Sequence, residues 1–277
     1  MSYDESVSDH YVHGGLLEAI EAALPVLGKT IENVTIEDLA PVDEFHVGGR
    51  SATDHLFDQL NFSEQEYILD VGCGLGGAAR YLASKIKSRV TGIDLTPEYI
   101  TTAKVLSSWL NLEKYITFEQ GSALSMPFQD NSFDGGYMLH VGMNIEDKIA
   151  LFVEISRVLR PGSTLGIYDI MTQDEGELVY PVPWATESST SKLASPAQYR
   201  QALKDAGFEI ISENNRRDFS LEFFETLRAK TKANGGPPPL GLHTLMQEST
   251  STKTSNMAKN ISNGLIAPVE IIARKTL

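Results

Sequence analysis

Two aspartates flanking a run of glycines are the residues here whose types and spacing best suit chemistry. Asp70 precedes Gly72, Gly74, Gly76 and Gly77, and Asp94 stands 24 positions beyond Asp70. The apolar run Tyr67-Ile68-Leu69-Asp70-Val71 reads as a buried strand, and Ala78-Ala79-Arg80-Tyr81-Leu82-Ala83 reads as the start of a helix. Glycines at such a turn let the backbone approach a ligand closely and leave free N–H groups at the helix start. A loop of this kind holds a nucleotide cofactor.

Two cofactors compete for it. Gly72, Gly74 and Gly77 satisfy the G-x-G-x-x-G pattern of dinucleotide binding, a weak signal alone. The same stretch also satisfies Asp-x-Gly-x-Gly-x-Gly through Asp70, Gly72, Gly74 and Gly76. A diphosphate would bring negative charge against the Asp70 carboxylate, whereas the ammonium and sulfonium of S-adenosylmethionine would be attracted to it. Asp94 follows a second strand, where a carboxylate can accept both hydroxyls of a ribose from either cofactor. Its structural alternative is to cap the helix that begins at Thr96-Pro97.

Other candidates lie at predicted strand ends. His140 follows a fourth strand and suits a base or a substrate-orienting donor, because imidazole titrates near neutral pH; packing under an adenine is the alternative. Tyr168 and Asp169 end a fifth strand. His46, with Glu44 nearby and Gly48-Gly49 following, reads either as part of a lid or as a plain loop residue. Tyr11 and His13, beside Gly14-Gly15, read as surface residues, with closing the site from the N-terminal helices the alternative, and Trp184 as local loop packing with ligand stacking the alternative. His10 and His13 have no second ligand pair, so no metal site is expected. Neither a Gly-Lys-Ser/Thr phosphate loop nor a Gly-x-Ser-x-Gly elbow occurs, which sets aside NTPase and hydrolase chemistry.

The elements that must position these residues follow from periodicity. Leu16, Leu17, Ile20, Ala23, Leu24 and Leu27 have helical spacing, and further helices are expected near 34–39 and 52–60, with a loop across 43–50. From Tyr67 onward strand and helix alternate, the mark of a parallel sheet covered on both faces. Strands are expected at 67–71, 89–94, 116–120, 133–139, 164–170, 208–212 and 269–273. Thr96 is expected to cap one helix, and Pro161-Gly162 to end another whose buried side includes Ile149, Phe152, Val153, Ile155, Val158 and Leu159. Residues 173–194 form a long loop. Helices are expected from Ser195-Pro196 to Gly207, at 218–232 and at 242–260.

The 277 residues suffice for one large α/β domain with additions. A formal charge of −14 argues against nucleic acid or an anionic membrane as partner. The single cysteine, Cys73, excludes an intramolecular disulfide, and no apolar run reaches membrane-spanning length. A soluble cytoplasmic protein is the expectation.

Asp70-Val71-Gly72-Cys73-Gly74-Leu75-Gly76-Gly77, Gly92-Ile93-Asp94, Gly121-Ser122-Ala123-Leu124-Ser125-Met126-Pro127-Phe128, Ser132-Phe133-Asp134 and Val158-Leu159-Arg160-Pro161-Gly162 stand in the order and spacing of one family. Over roughly 67–212 the chain resembles the class I S-adenosylmethionine-dependent methyltransferases. Gly76-Gly77-Ala78-Ala79-Arg80-Tyr81-Leu82 and Asp43-Glu44-Phe45-His46-Val47-Gly48 are similar to segments of the sarcosine/dimethylglycine N-methyltransferases within it. Ubiquinone/menaquinone and tocopherol C-methyltransferases belong to the same group.

The resemblance implies a Rossmann-like seven-stranded sheet, mostly parallel with the last strand antiparallel. It implies an N-terminal helical cap over 1–62 and a cofactor domain over 63–277, with a helical insertion at about 215–267 that is lid or interface. It further implies S-adenosylmethionine bound by Asp70, Gly72, Cys73, Gly74, Gly76, Asp94, Leu95, Ser122, Ala123 and Leu139, with S-adenosylhomocysteine as product. Ser122 departs from the family, which usually carries an acid there for the adenine amino group. His140, His46 and Tyr168 are the catalytic candidates. The acceptor read first is a small amine or amino acid such as sarcosine or dimethylglycine; the second is a quinone or phenol methylated on carbon or oxygen. A nicotinamide-dependent oxidoreductase, a non-catalytic cofactor-binding module and a homodimer stay open.

Overall fold

The computed structural model describes residues 3–277, with side chains from Val7 onward. Four helices precede the sheet: α1 (Tyr3–Tyr11), α2 (Leu16–Ala23), α3 (Ile36–Asp43) and α4 (Arg50–Leu60). Thr35 starts α3 with a capping box to Asp38. β1 (Tyr67–Val71), α5 (Gly77–Ile86), β2 (Arg89–Asp94), α6 (Pro97–Trp109), β3 (Ile116–Gln120) and β4 (Phe133–Leu139) follow. Next come α7 (Lys148–Val158), β5 (Leu159–Thr172), α8 (Pro196–Asp205), β6 (Phe208–Asn215), α9 (Arg217–Ala233), α10 (Leu242–Met246), α11 (Thr250–Ser262) and β7 (Ile266–Lys275).

The seven strands lie in the order β3-β2-β1-β4-β5-β7-β6. β1 to β5 run parallel, and β7 is antiparallel to both of its neighbours, β5 and β6. The chain progresses outward in both directions from the β1/β4 pair, so a crevice opens there beyond the carboxyl ends of the strands. Apolar residues fill both faces. Leu151, Phe152 and Ile155 of α7 and Tyr199 of α8 pack on one; Leu56, Phe57, Ala79 and Leu82 of α4 and α5 pack on the other.

Several local expectations change. α7 ends at Val158, and Pro161-Gly162 lie within the extended lead-in to β5 rather than ending the helix. Ile149 and Val153 are 50% and 49% exposed, because Leu151, Phe152, Ile155 and Val158 already take the sheet-facing side. Thr96 sits at the start of α6, but its side chain makes no capping bond; its own N–H is taken by Asp94. The helix expected over 242–260 is two helices, broken at Gln247 with φ of 51°.

Candidate active site

The turn after β1 is built from backbone. The N–H groups of Gly72 and Cys73 donate to the Ile93 carbonyl at 2.8 and 3.0 Å, which fastens the loop to β2. A Cβ at Gly72 would overlap Val141, and φ there is +70°, so only glycine fits without strain. At Gly74, by contrast, a Cβ would meet nothing within 4 Å: the loop faces open space. Gly76 lies behind it, against Phe118. Arg80, wholly buried in α5, braces the turn by donating to the Leu75 carbonyl at 2.7 Å and pairing with Asp43 of α3 at 2.5 Å.

Asp94 is bonded on both sides, accepting from Gly74 N–H and Thr96 N–H, each at 2.9 Å. These bonds fix the carboxylate just ahead of α6, at the cavity, without capping a donor of the helix itself. Asp70 is 2% exposed, and among the described residues its Oδ2 has no hydrogen-bond partner. Burial, opposed by the Tyr137 hydroxyl and reinforced by Asp94 and Glu44, pushes its carboxyl up to about 8. A buried acid with one unpartnered oxygen at the cavity is what a cationic ligand would satisfy, and the donor set therefore fits S-adenosylmethionine.

A cavity of about 430 Å³ begins at this loop. Asp70, Gly72, Cys73 and Gly74 form its floor, Asp94 and Leu95 enter from the end of β2, Ser122 and Ala123 from the end of β3, and Leu139 from β4. The Ser122 hydroxyl accepts from the Leu124 N–H at 3.3 Å. His140 has φ of +56° and a buried Nε2 with no partner among the described residues. Burial, and then neighbouring His46, lower its pKa well below the ordinary imidazole value. His46 also reaches the cavity, with its ring centroid 5.9 Å from that of His140. Tyr168 stands behind both, its ring 5.2 Å from His140 and 6.1 Å from His46, outside the cavity wall.

The far wall comes from elements the motifs do not mark. Phe223, Phe224 and Leu227 of α9, Leu242 of α10 and Met257 of α11 line it, with Trp184 from the 173–194 segment. Trp184 is 2% exposed and donates Nε1–H to Ser191 Oγ at 2.9 Å. Tyr11, read first as a surface residue, takes the alternative place and lines the cavity; the Asn144 amide donates to its hydroxyl at 3.1 Å. Glu98 holds the segment that follows α1. Its carboxylate accepts the N–H groups of His13, Gly14, Gly15 and Leu16 at 2.6–3.0 Å. Against the upward push of partial burial, these four bonds bring its pKa down to about 2. Asn144 carried no sequence signal, and the α9 aromatics none beyond ordinary apolar spacing. No group of three or more His, Cys, Asp or Glu side chains is placed to hold a metal among the described residues. No described helix is long and apolar enough to cross a membrane.

Comparison with known proteins agrees with this geometry. A family model described as a methyltransferase domain matches residues 69–167. The O-methyltransferase cnsE of Penicillium expansum is 28% identical over 240 residues, covering 83% of this chain and 85% of that one. Phosphoethanolamine N-methyltransferase 1 of Arabidopsis thaliana is 32% identical over 186 residues, 65% of this chain and 36% of that protein. The chain spans about half the length of several other curated relatives it matches. The crystal structure of geranyl diphosphate C-methyltransferase from Streptomyces coelicolor superposes with a TM-score of 0.72 at 17% identity, over 100% of this chain and 98% of that one. Residues 69–167 thus match a methyltransferase domain, and the relatives that the chain is similar to are methyltransferases by name. That likeness favours S-adenosylmethionine over the nicotinamide reading of the glycine loop.

Proposed function

We propose that the chain methylates an apolar small molecule bearing one hydroxyl or similar polar group, of the phenol or quinol type. The observation that carries this reading is the wall facing the glycine loop, built from Phe45, Val47, Met143, Trp184, Phe223 and Met257. Sarcosine, with a carboxylate and an ammonium, would need charged partners there. The wall's carboxylates instead sit at the loop end, as Asp43, Asp70 and Asp94, and in the Glu146-Asp147 pair before α7. The relatives catalyse both O- and N-transfer by name, so the lining is what separates the acceptors.

When bound, S-adenosylmethionine supplies a methyl group on a positively charged sulfur. Asp70 would face its cationic amino-acid end and Asp94 its ribose hydroxyls. The Gly72, Cys73, Gly74 and Gly76 backbone would let it approach. Leu95 and Leu139 offer apolar contact for the adenine, and Ser122 and Ala123 its polar readout. His140 would orient the acceptor by engaging its polar group through the partnerless Nε2. Transfer is an in-line displacement, so holding both partners in register supplies much of the rate.

The test is methyl transfer from labelled S-adenosylmethionine to naphthol or to sarcosine. Labelled methoxynaphthalene supports the apolar acceptor; labelled dimethylglycine with unreacted naphthol overturns it.

A further inference from the structure

We infer that His46 is the base that takes the acceptor's proton, and that Gly49, Thr53 and Glu44 set it in the required tautomer. This rests on the methyl-transfer reading above. His46 Nε2 lies 3.1 Å from the Gly49 carbonyl and 3.0 Å from Thr53 Oγ1. A carbonyl can only accept, so Nε2 carries the hydrogen. The one hydroxyl proton of Thr53 goes to Glu44 Oε2, which leaves Thr53 Oγ1 as a second acceptor for the same Nε2–H. Both neighbours therefore demand the Nε2–H form, and the lone pair resides on Nδ1. The ring lines the cavity beside His140.

The electrostatics distinguish the two histidines. Protonating His140 is opposed by burial and by His46, with no carboxylate to offset either. Protonating His46 is also opposed by burial, but Glu44 counters it from 3.5 Å. Arg50, which holds the other Glu44 oxygen at 2.6 Å, subtracts part of that support. Glu44, Arg50, His140 and Tyr168 are the titratable and charged groups around this ring.

The step balances as follows. The acceptor oxygen's electron pair forms the new O–CH3 bond, and sulfur keeps the pair of the broken C–S bond. The hydroxyl proton passes to His46 Nδ1. The imidazolium so formed retains its Nε2–H bonds and faces the Glu44 carboxylate, then releases the proton to water. An acid–base orienter behind a histidine is worth having because general-base catalysis contributes about 10²–10⁴ in rate.

Nitrogen-15 NMR of the full chain tests the tautomer without turnover. At pH 7.5 His46 is expected as the neutral Nε2–H form. Thr53→Val and Thr53→Ser are both expected to keep that tautomer, because the Gly49 carbonyl still accepts from Nε2. An Nδ1–H ring, or an imidazolium at that pH, overturns the inference. His46→Gln keeps a donor for Gly49 but has no base. With naphthol as acceptor it is expected to lower kcat about a hundredfold or more, with the dissociation constant for S-adenosylhomocysteine within twofold of wild type. An unchanged kcat also overturns it. If the wild-type chain leaves naphthol unmethylated, the acceptor reading falls and the tautomer alone decides the base.

Discussion

The two ends of the cavity are made of different materials. The glycine-loop end uses main-chain amides, three aspartates and four strand ends, all but Asp43 within residues 70–140. The far end uses side-chain bulk from α1, the 173–194 segment and α9 to α11, elements drawn from opposite ends of the chain. Backbone recognition demands particular residue types at particular places. Bulk packing accepts any apolar residue of about the right size. The first end should therefore fail sharply when altered, and the second by degrees.

The strongest way to break that contrast is Arg80→Met. Arg80 is wholly buried, holds Asp43 and braces Leu75, so its removal leaves an unpaired acid whose pKa burial already raises. A loss of about 3–5 kcal/mol is expected in urea denaturation, the usual cost of breaking a buried pair. Unaltered stability would mean the loop stands without its brace.

Asp94→Ala comes next. If Asp94 holds the ribose, affinity for S-adenosylhomocysteine should fall by about 1–3 kcal/mol, roughly fivefold to 150-fold. Asp94→Asn should fall between, since it retains an acceptor for Gly74 N–H or Thr96 N–H. Calorimetry showing one dissociation constant for all three proteins would remove Asp94 from the site.

Asp70 sharpens the contrast through pH. With its carboxyl pushed up to about 8, it is mostly protonated at pH 6 and ionises as pH rises toward 8. A cationic ligand needs the carboxylate, so binding should weaken about tenfold for each unit below 8, roughly thirtyfold between pH 7.5 and 6. Methylthioadenosine, which lacks the amino-acid arm, should bind without that slope. So should S-adenosylhomocysteine to Asp70→Asn. A flat profile for the native pair would place the ammonium elsewhere.

The same contrast explains what could be read from residues alone. Asp70, Asp94 and the glycines were legible because φ near +70° at Gly72 and a carboxylate at a strand end tolerate few substitutes. The sheet was legible through alternation, down to strand limits within a few residues. Tyr11 was legible only as the less favoured alternative, because its partner Asn144 is 133 positions away and nothing near it in sequence marks the cavity. His46 was flagged for its Glu44 neighbour, but its tautomer is fixed by the Gly49 carbonyl and seconded by Thr53 on the next helix, contacts that residue types alone do not show. Ile149 and Val153 misled because apolar residues four apart suit either face of α7, and periodicity alone cannot say which face meets the sheet.

The mildest effect belongs to the far end. Phe223 is half-buried on α9, edge-on to Phe224 with ring centroids 5.6 Å apart. Full burial of such a side chain is worth about 1.5–3 kcal/mol, so an acceptor that covers part of it should lose about 1.4 kcal/mol, a tenfold rise in KM, in Phe223→Ala. Naphthol kinetics supply the measurement, and affinity for S-adenosylhomocysteine should not move. Ile149→Ala trims an exposed apolar side chain outside the cavity and should leave KM alone. Were Phe223→Ala to alter cofactor affinity as much as KM, the two ends would share one wall, and the division between backbone-read and bulk-read recognition would fail.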